Sequence, residues 1–217
     1  MSPAETPTKP ADALHGLYLV TPEGGPGTLV HRVEQALDGG ARILQYRDKS
    51  GDASQRLETA RALKALCTAH GALFLVNDDV ELAATVAADG VHLGREDAGL
   101  EEARARLGPD ALIGISCYDR LDRAGDAAAR GADYVAFGAV FPSATKPGAV
   151  HAPLALIREA RARLDLPIAA IGGITPDNAG EVIRAGAHMV AVIQGVFAAP
   201  DIRNAARTIQ DCFPEGA

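Results

Sequence analysis

Short apolar runs recur along the chain, and after each the sequence passes through a polar exit into a stretch with apolar residues at helical spacing. Runs over 17–20, 43–47, 73–76, 91–93, 112–116, 134–138, 167–171 and 189–193 predict eight strands. The intervening stretches, 29–37, 55–70, 80–87, 100–107, 119–130, 153–164, 177–185 and 201–212, predict eight helices. Strict alternation implies a parallel sheet, because each strand needs a crossover before the next can run the same way. Pairs of roughly 25 residues, eight in sequence, favour an α/β fold of the single (β/α)8 TIM-barrel type over an open doubly wound sheet. Gly39-Gly40-Ala41, Ala88-Asp89-Gly90, Gly131-Ala132-Asp133 and Gly186-Ala187-His188 punctuate that count, each marking a helix end that turns into a strand.

Of the 217 residues 47% are hydrophobic, yet no apolar run approaches the 18 or so needed to cross a membrane. Residues 14–217 are expected to form one catalytic barrel domain, after a disordered N-terminal leader over 1–13 with no secretory pattern. A net charge of −7 without a basic run argues against a nucleic-acid partner. Cys67, Cys117 and Cys212 are odd in number and lack zinc spacing, so they read as reduced thiols of a cytoplasmic protein. Assembly into a homo-oligomer is left open.

A barrel gathers its chemistry at the carboxyl ends of its strands, so polar residues there form one candidate set. Asn77 and Asp78 follow the third strand and Asp97 the fourth. Carboxylates on neighbouring strand ends are hard oxygen ligands suited to Mg2+, although Asp78 or Asp79 could instead cap the next helix and Asp97 sit in a turn. Gln45, Arg47 and Lys49 alternate along one extended segment after the second strand, Ser116 ends the fifth, and Ser143, Thr145 and Lys146 lie in the loop after the sixth. Gly172-Gly173 and Gln194-Gly195 follow the seventh and eighth strands, where barrels often hold phosphate on backbone N–H groups. Two lysines, an arginine and a carboxylate pair suit a magnesium-bound pyrophosphate, with a second, metal-free anion site beside it.

Tyr18-Leu-Val-Thr-Pro, Gln45-Tyr-Arg-Asp-Lys49, Leu75-Val-Asn-Asp78, Ala88-Asp-Gly-Val-His-Leu-Gly94 with Asp97, the segment from Phe137-Gly138 to Thr145-Lys146, and Ile171-Gly-Gly-Ile174 together resemble the thiamine-phosphate synthase family over about residues 14–212. The resemblance implies a transferase that joins 4-amino-5-hydroxymethyl-2-methylpyrimidine diphosphate to hydroxyethyl-methylthiazole phosphate, giving thiamine phosphate and pyrophosphate. It implies Asp78 and Asp97 as Mg2+ ligands, and Gln45, Arg47, Lys49, Asn77, Ser116 and Lys146 around the pyrimidine diphosphate. Ser143, Thr145, Gly173, Ile193 and Gln194 match positions that hold the thiazole phosphate, with catalysis expected from Arg47, Lys49, Ser116 and Lys146. The chain departs from the family pattern at Gln194, where serine is usual, and at Ser143, where threonine is more common. His92 belongs to the pattern but, within a barrel strand, reads as a hydrogen-bonded core residue. A thiazole tautomerase-like paralogue and a non-catalytic binder of thiamine intermediates are the alternatives.

Overall fold

The computed structural model describes residues 13–22, 26–49, 52–94, 99–142 and 150–214. Eight parallel strands, β1 (Gly16–Val20), β2 (Ile43–Tyr46), β3 (Leu73–Asn77), β4 (Gly90–Leu93), β5 (Leu112–Tyr118), β6 (Tyr134–Gly138), β7 (Ile168–Ile171) and β8 (Met189–Val192), pair in chain order and close when β8 meets β1. Around them run α1 (Pro26–Asp38), α2 (Ala53–Ala69), α3 (Val80–Thr85), α4 (Leu100–Leu107), α5 (Leu121–Ala129), α6 (Leu154–Arg163), α7 (Ala179–Arg184), α8 (Gln194–Phe197) and α9 (Ile202–Gln210). The expected (β/α)8 barrel is therefore the observed one.

Period-2 alternation divides each strand between two cores. Leu17, Leu19, Leu44, Phe74, Val76, Val91, Ile113, Val135, Phe137 and Val190 face outward and pack in one shell against the helices. Tyr18, Val20, Ile43, Leu75, Leu112, Tyr134, Ala136, Ala169, Met189 and Ala191 form a smaller core inside the barrel. The inner layer accommodates two phenol rings because a neighbour has no side chain: a Cβ on Gly114 would lie 2.0 Å from Cζ of Tyr134. Gly114 thus acts by vacating space rather than by conformational freedom.

The amino-terminal rim explains the sequence repeats. Asp89, just before β4, accepts a hydrogen bond from the Phe74 amide at the start of β3 (2.7 Å). Asp133, just before β6, does the same for the Ile113 amide of β5 (2.7 Å), and Nδ1 of His188, just before β8, for the Ile168 amide of β7 (3.0 Å). At the corresponding place before β2 stands Arg42, whose side chain has no acceptor, and Oε1 of Gln210 on α9 caps the Leu17 amide instead (2.8 Å). Each cap satisfies a strand-end N–H that the ladder leaves over.

Four sequence expectations shift. β2 stops at Tyr46, so Arg47 lies beyond the strand, and α3 stops at Thr85, with Ala87 at φ +51°. β5 continues to Tyr118 with an irregular register between Ser116 and Tyr118, so Ser116 sits within the strand and not at its end. The turn expected after β8 is the one-turn helix α8, making nine helices among the described residues; a four-residue helix is too short to show periodicity in sequence. Apart from Ala13, the leader expected over 1–13 lies outside the described residues, as do Asp97, Ser143, Thr145 and Lys146.

Candidate functional site

Asp78 and Asp79 are adjacent carboxylates with different tasks. Asp79 caps α3, accepting from the Leu82 amide (2.8 Å), and its other oxygen takes a 2.6 Å hydrogen bond from Arg56. Asp78 does not cap; its backbone sits at φ +63°, a left-handed conformation that Asp tolerates better than most residues. Its amide donates to the His92 carbonyl of β4 (2.9 Å), and Oδ2 accepts from Nδ2 of Asn77 (2.6 Å). The structure thus assigns the capping role to Asp79 and leaves Asp78 at the barrel mouth.

Below that mouth runs a polar layer. Gln45, only 4% exposed, donates from Nε2 to Oδ1 of Asn77 (2.6 Å) and accepts at Oε1 from the Tyr18 hydroxyl (2.9 Å). The Tyr18 and Tyr134 hydroxyls are 2.8 Å apart, and His92 bridges Tyr134 (2.9 Å at Nδ1) to Ser116 (2.8 Å at Nε2). Burial raises the ionisation of both phenols far above the usual tyrosine range, so they stay protonated. Tyr18, Tyr134 and the two bonds of His92 join Gln45, Asn77, Asp78 and Ser116 into one arrangement. His92 is a hydrogen-bonded residue of the inner wall, stacked on Tyr134 with ring centroids 5.6 Å apart.

The cations stand at successive heights. Thr21, at the exit of β1, fixes the backbone of Arg47 from both sides: its hydroxyl accepts from the Arg47 amide (2.8 Å) and donates to the Arg47 carbonyl (3.0 Å). Arg47 is half-buried there and Lys49 exposed, so the segment from Gln45 climbs out of the barrel into solvent. Arg123 on α5 was not singled out from sequence, yet it donates to the carbonyls of Ser116 (2.8 Å) and Gly94 (3.1 Å). It ties the exits of β4 and β5 together from behind; an arginine in an Ala-rich helix gives no signal of this without the register.

Gly172 and Gly173 both have positive φ and permit close approach: a Cβ on Gly172 would lie 2.5 Å from Cβ of Ala139, and one on Gly173 2.4 Å from the Pro142 carbonyl. The segment after β6 is thereby held against β7, with the Val140 and Phe141 amides bonded to the carbonyls of Ile171 and Gly172. Asn178 orders the following turn, accepting from the Thr175 amide (2.8 Å) and donating to the Gly173 carbonyl (3.0 Å). Ile193 occupies the N-cap position of α8 without a side-chain cap, and Gln194 is the helix's exposed first residue.

For a magnesium ion the donor chemistry fits. Asp78 offers hard carboxylate oxygen at a strand exit, and Mg2+ commonly takes one or two carboxylates and completes its shell with water and substrate phosphate.

Residues 17–196 match the family model described as thiamine monophosphate synthase. The chain is 59% identical to the thiamine-phosphate synthase of Thioalkalivibrio sulfidiphilus over 95% of its length and 99% of that protein's. It is also 59% identical to the thiamine-phosphate synthase of Azoarcus sp., over 88% and 93% of the two chains. The solved thiamine phosphate pyrophosphorylase of Pyrococcus furiosus superposes with a TM-score of 0.83 at 36% identity, covering 92% of this chain and 96% of that one. A 3-hexulose-6-phosphate synthase, at 18% identity and a TM-score of 0.70, shares the fold. On these matches and on the barrel they cover, the chain belongs to the thiamine monophosphate synthase family of transferase enzymes.

Proposed function

We propose that the protein is a Mg2+-dependent thiamine-phosphate synthase that couples 4-amino-5-hydroxymethyl-2-methylpyrimidine diphosphate with hydroxyethyl-methylthiazole phosphate. The observation that carries this reading is Asp78, a carboxylate at the barrel mouth that leaves the helix cap to Asp79 and is held by Asn77, which Gln45 holds in turn. Asp78 and Asp97 would hold the metal, which when bound supplies positive charge to the diphosphate oxygens. Arg47, Lys49 and Lys146 would neutralise the rest of the leaving group, and Gln45, Asn77 and Ser116 would orient the pyrimidine. Gly173, Ser143, Thr145 and the backbone at Ile193 and Gln194 would receive the thiazole phosphate.

The bond that breaks joins the pyrimidine methylene carbon to the diphosphate oxygen, and pyrophosphate leaves with the electron pair. The electron-rich aminopyrimidine stabilises the resulting methylene cation, and the lone pair of the thiazole nitrogen forms the new C–N bond. No general base is required, so the protein's contribution is to position two substrates and to stabilise the departing charge. The ring nitrogens of His92 in the polar layer are engaged by Tyr134 and Ser116, in keeping with that economy. Three free cysteines, with burial raising Cys67 and Cys117 to about 12, suit a reducing cytoplasm.

Purified protein is expected to release pyrophosphate when given both substrates and Mg2+, and to stop when EDTA removes the metal. No release with Mg2+ present would sink the reading, whereas turnover of a thiazole carboxylate phosphate alone would point to a tautomerase. Gln194 would reshape the thiazole-phosphate site, so Gln194→Ser should lower the KM for the thiazole phosphate several-fold, on the order of one hydrogen bond. An unchanged KM would remove that role from Gln194.

A further inference from the structure

Six consecutive hydrogen bonds cross six strands inside the barrel, from Ser116 through His92, Tyr134, Tyr18, Gln45 and Asn77 to Asp78. Several members can both donate and accept, so the distances alone leave the direction of each bond open. The last member decides it. An ionised carboxylate only accepts, so Asn77 must turn its Nδ2 toward Asp78 and its Oδ1 toward Gln45. Gln45 must then donate from Nε2, which turns Oε1 toward Tyr18 and requires the Tyr18 hydroxyl to donate. With its one proton so placed, Tyr18 can only accept from Tyr134, and Tyr134 in turn can only accept from His92. His92 therefore carries its proton on Nδ1, and its bare Nε2 must accept from the Ser116 hydroxyl.

We infer that this one-way chain fixes the Nδ1–H tautomer of His92 and rotates the Ser116 hydroxyl away from the site, so that the serine oxygen faces substrate as an acceptor. Tyr18, Tyr134 and His92 are then positioning residues for Ser116. The substrate group that such an oxygen recognises is an N–H, and this clause rests on the proposed reaction: its aminopyrimidine carries an amino group with two. Chemistry around the chain keeps its direction. Both phenols lie within the barrel, where burial prevents their ionisation. Arg123 holds the Ser116 carbonyl from the far side of the strand, so the hydroxyl is set on a fixed backbone.

The test reads the tautomer directly, in substrate-free protein, by long-range 1H–15N correlation of the imidazole nitrogens, with the His92 signals assigned from their loss in His92→Asn. The expected pattern is a protonated Nδ1 and an unprotonated Nε2. A neutral ring protonated at Nε2, or a doubly protonated ring, would overturn the inference. Tyr18 does not bond to His92, so Tyr18→Phe supplies the decisive variant: it frees Tyr134 to donate to His92, and the tautomer should move toward Nε2–H. A role confined to packing would leave the tautomer where it was, and that result would also overturn the chain. Should Tyr18→Phe fold poorly, the wild-type tautomer still decides. In the enzymatic arm Tyr18→Phe should reduce kcat/KM for the pyrimidine diphosphate about three- to tenfold, the range of one ordinary hydrogen bond, with KM for the thiazole phosphate unchanged. The expected tautomer together with no pyrophosphate release from wild type would reject the proposed reaction and leave the chain standing.

Discussion

The two rims of the barrel use the same polar residue types to different ends. At the amino-terminal rim Asp89 and Asp133 each accept from a strand amide and from a basic side chain of a helix, Lys64 at 2.8 Å and Arg104 at 2.6 Å. Each carboxylate there is matched by donors of the same chain and closes a strand end. At the carboxyl-terminal rim Asp78 is held by an amide side chain in a left-handed backbone conformation, where it neither caps a helix nor closes a strand. The amino-terminal rim spends its carboxylates on strand ends and so stabilises the fold; the carboxyl-terminal rim is where barrels gather their chemistry.

The largest test of that contrast is Asp78→Asn. Asparagine tolerates the left-handed backbone and keeps the shape, while the charge is lost. Pyrophosphate release should fall by about 10²–10³-fold, the usual effect of deleting one preorganised electrostatic partner. Urea denaturation should show stability within about 1 kcal/mol of wild type. A variant that lost several kcal/mol and kept its activity would place Asp78 with the stabilising carboxylates.

Asp133→Ala is the converse. It strands the Ile113 amide and deprives Arg104 of its carboxylate partner, so urea denaturation should reveal a loss of about 2–3 kcal/mol, with kcat per folded molecule unchanged. Asp133→Asn retains an acceptor for the amide and should recover part of that loss. Reduced kcat in the alanine variant under folding conditions would mean that the two rims are coupled.

The same contrast explains what was legible in the sequence. The amino-terminal caps recur with the βα unit, so Asp89, Asp133 and His188 stand out in the sequence as a repeat. What each does depends on the register of the preceding strand, and Gln210 escaped because it comes from the last helix to fill the place that Arg42 leaves. The carboxyl-terminal chain has no period. Tyr18 and Tyr134 read as ordinary members of apolar strands, and they meet only because the barrel closes and Gly114 leaves room. Asp78 and Asp79 could not be separated by type or spacing; one backbone dihedral distinguishes them. Of the remaining site expectations, Gln45, Asn77 and Ser116 share one network in which His92 is a link, Arg47 is anchored by Thr21 above it, and Lys49, Gly173, Ile193 and Gln194 lie on exits around the same rim.

The smallest effect separates the rims by pH. His188 titrates below its ordinary value of 6.5, because burial disfavours the cation and Arg161 and His15 repel it; His15 is lowered too, by its own burial and by Arg42. Since the folded-state value lies below the unfolded one, the neutral form is the one that the fold favours. The associated stability is complete above about pH 6.5 and is lost as the pH falls through the depressed value, when Nδ1 must take up a proton and can no longer accept from the Ile168 amide. His188→Asn supplies an acceptor that does not titrate. It should stay within about 1 kcal/mol of wild type near neutral pH and flatten the acid limb of the stability profile, leaving the share that His15 contributes. An unchanged acid limb, followed by urea denaturation across that range, would mean that the cap at β7 tolerates a protonated imidazole, and that this member of the repeat closes its strand without governing stability.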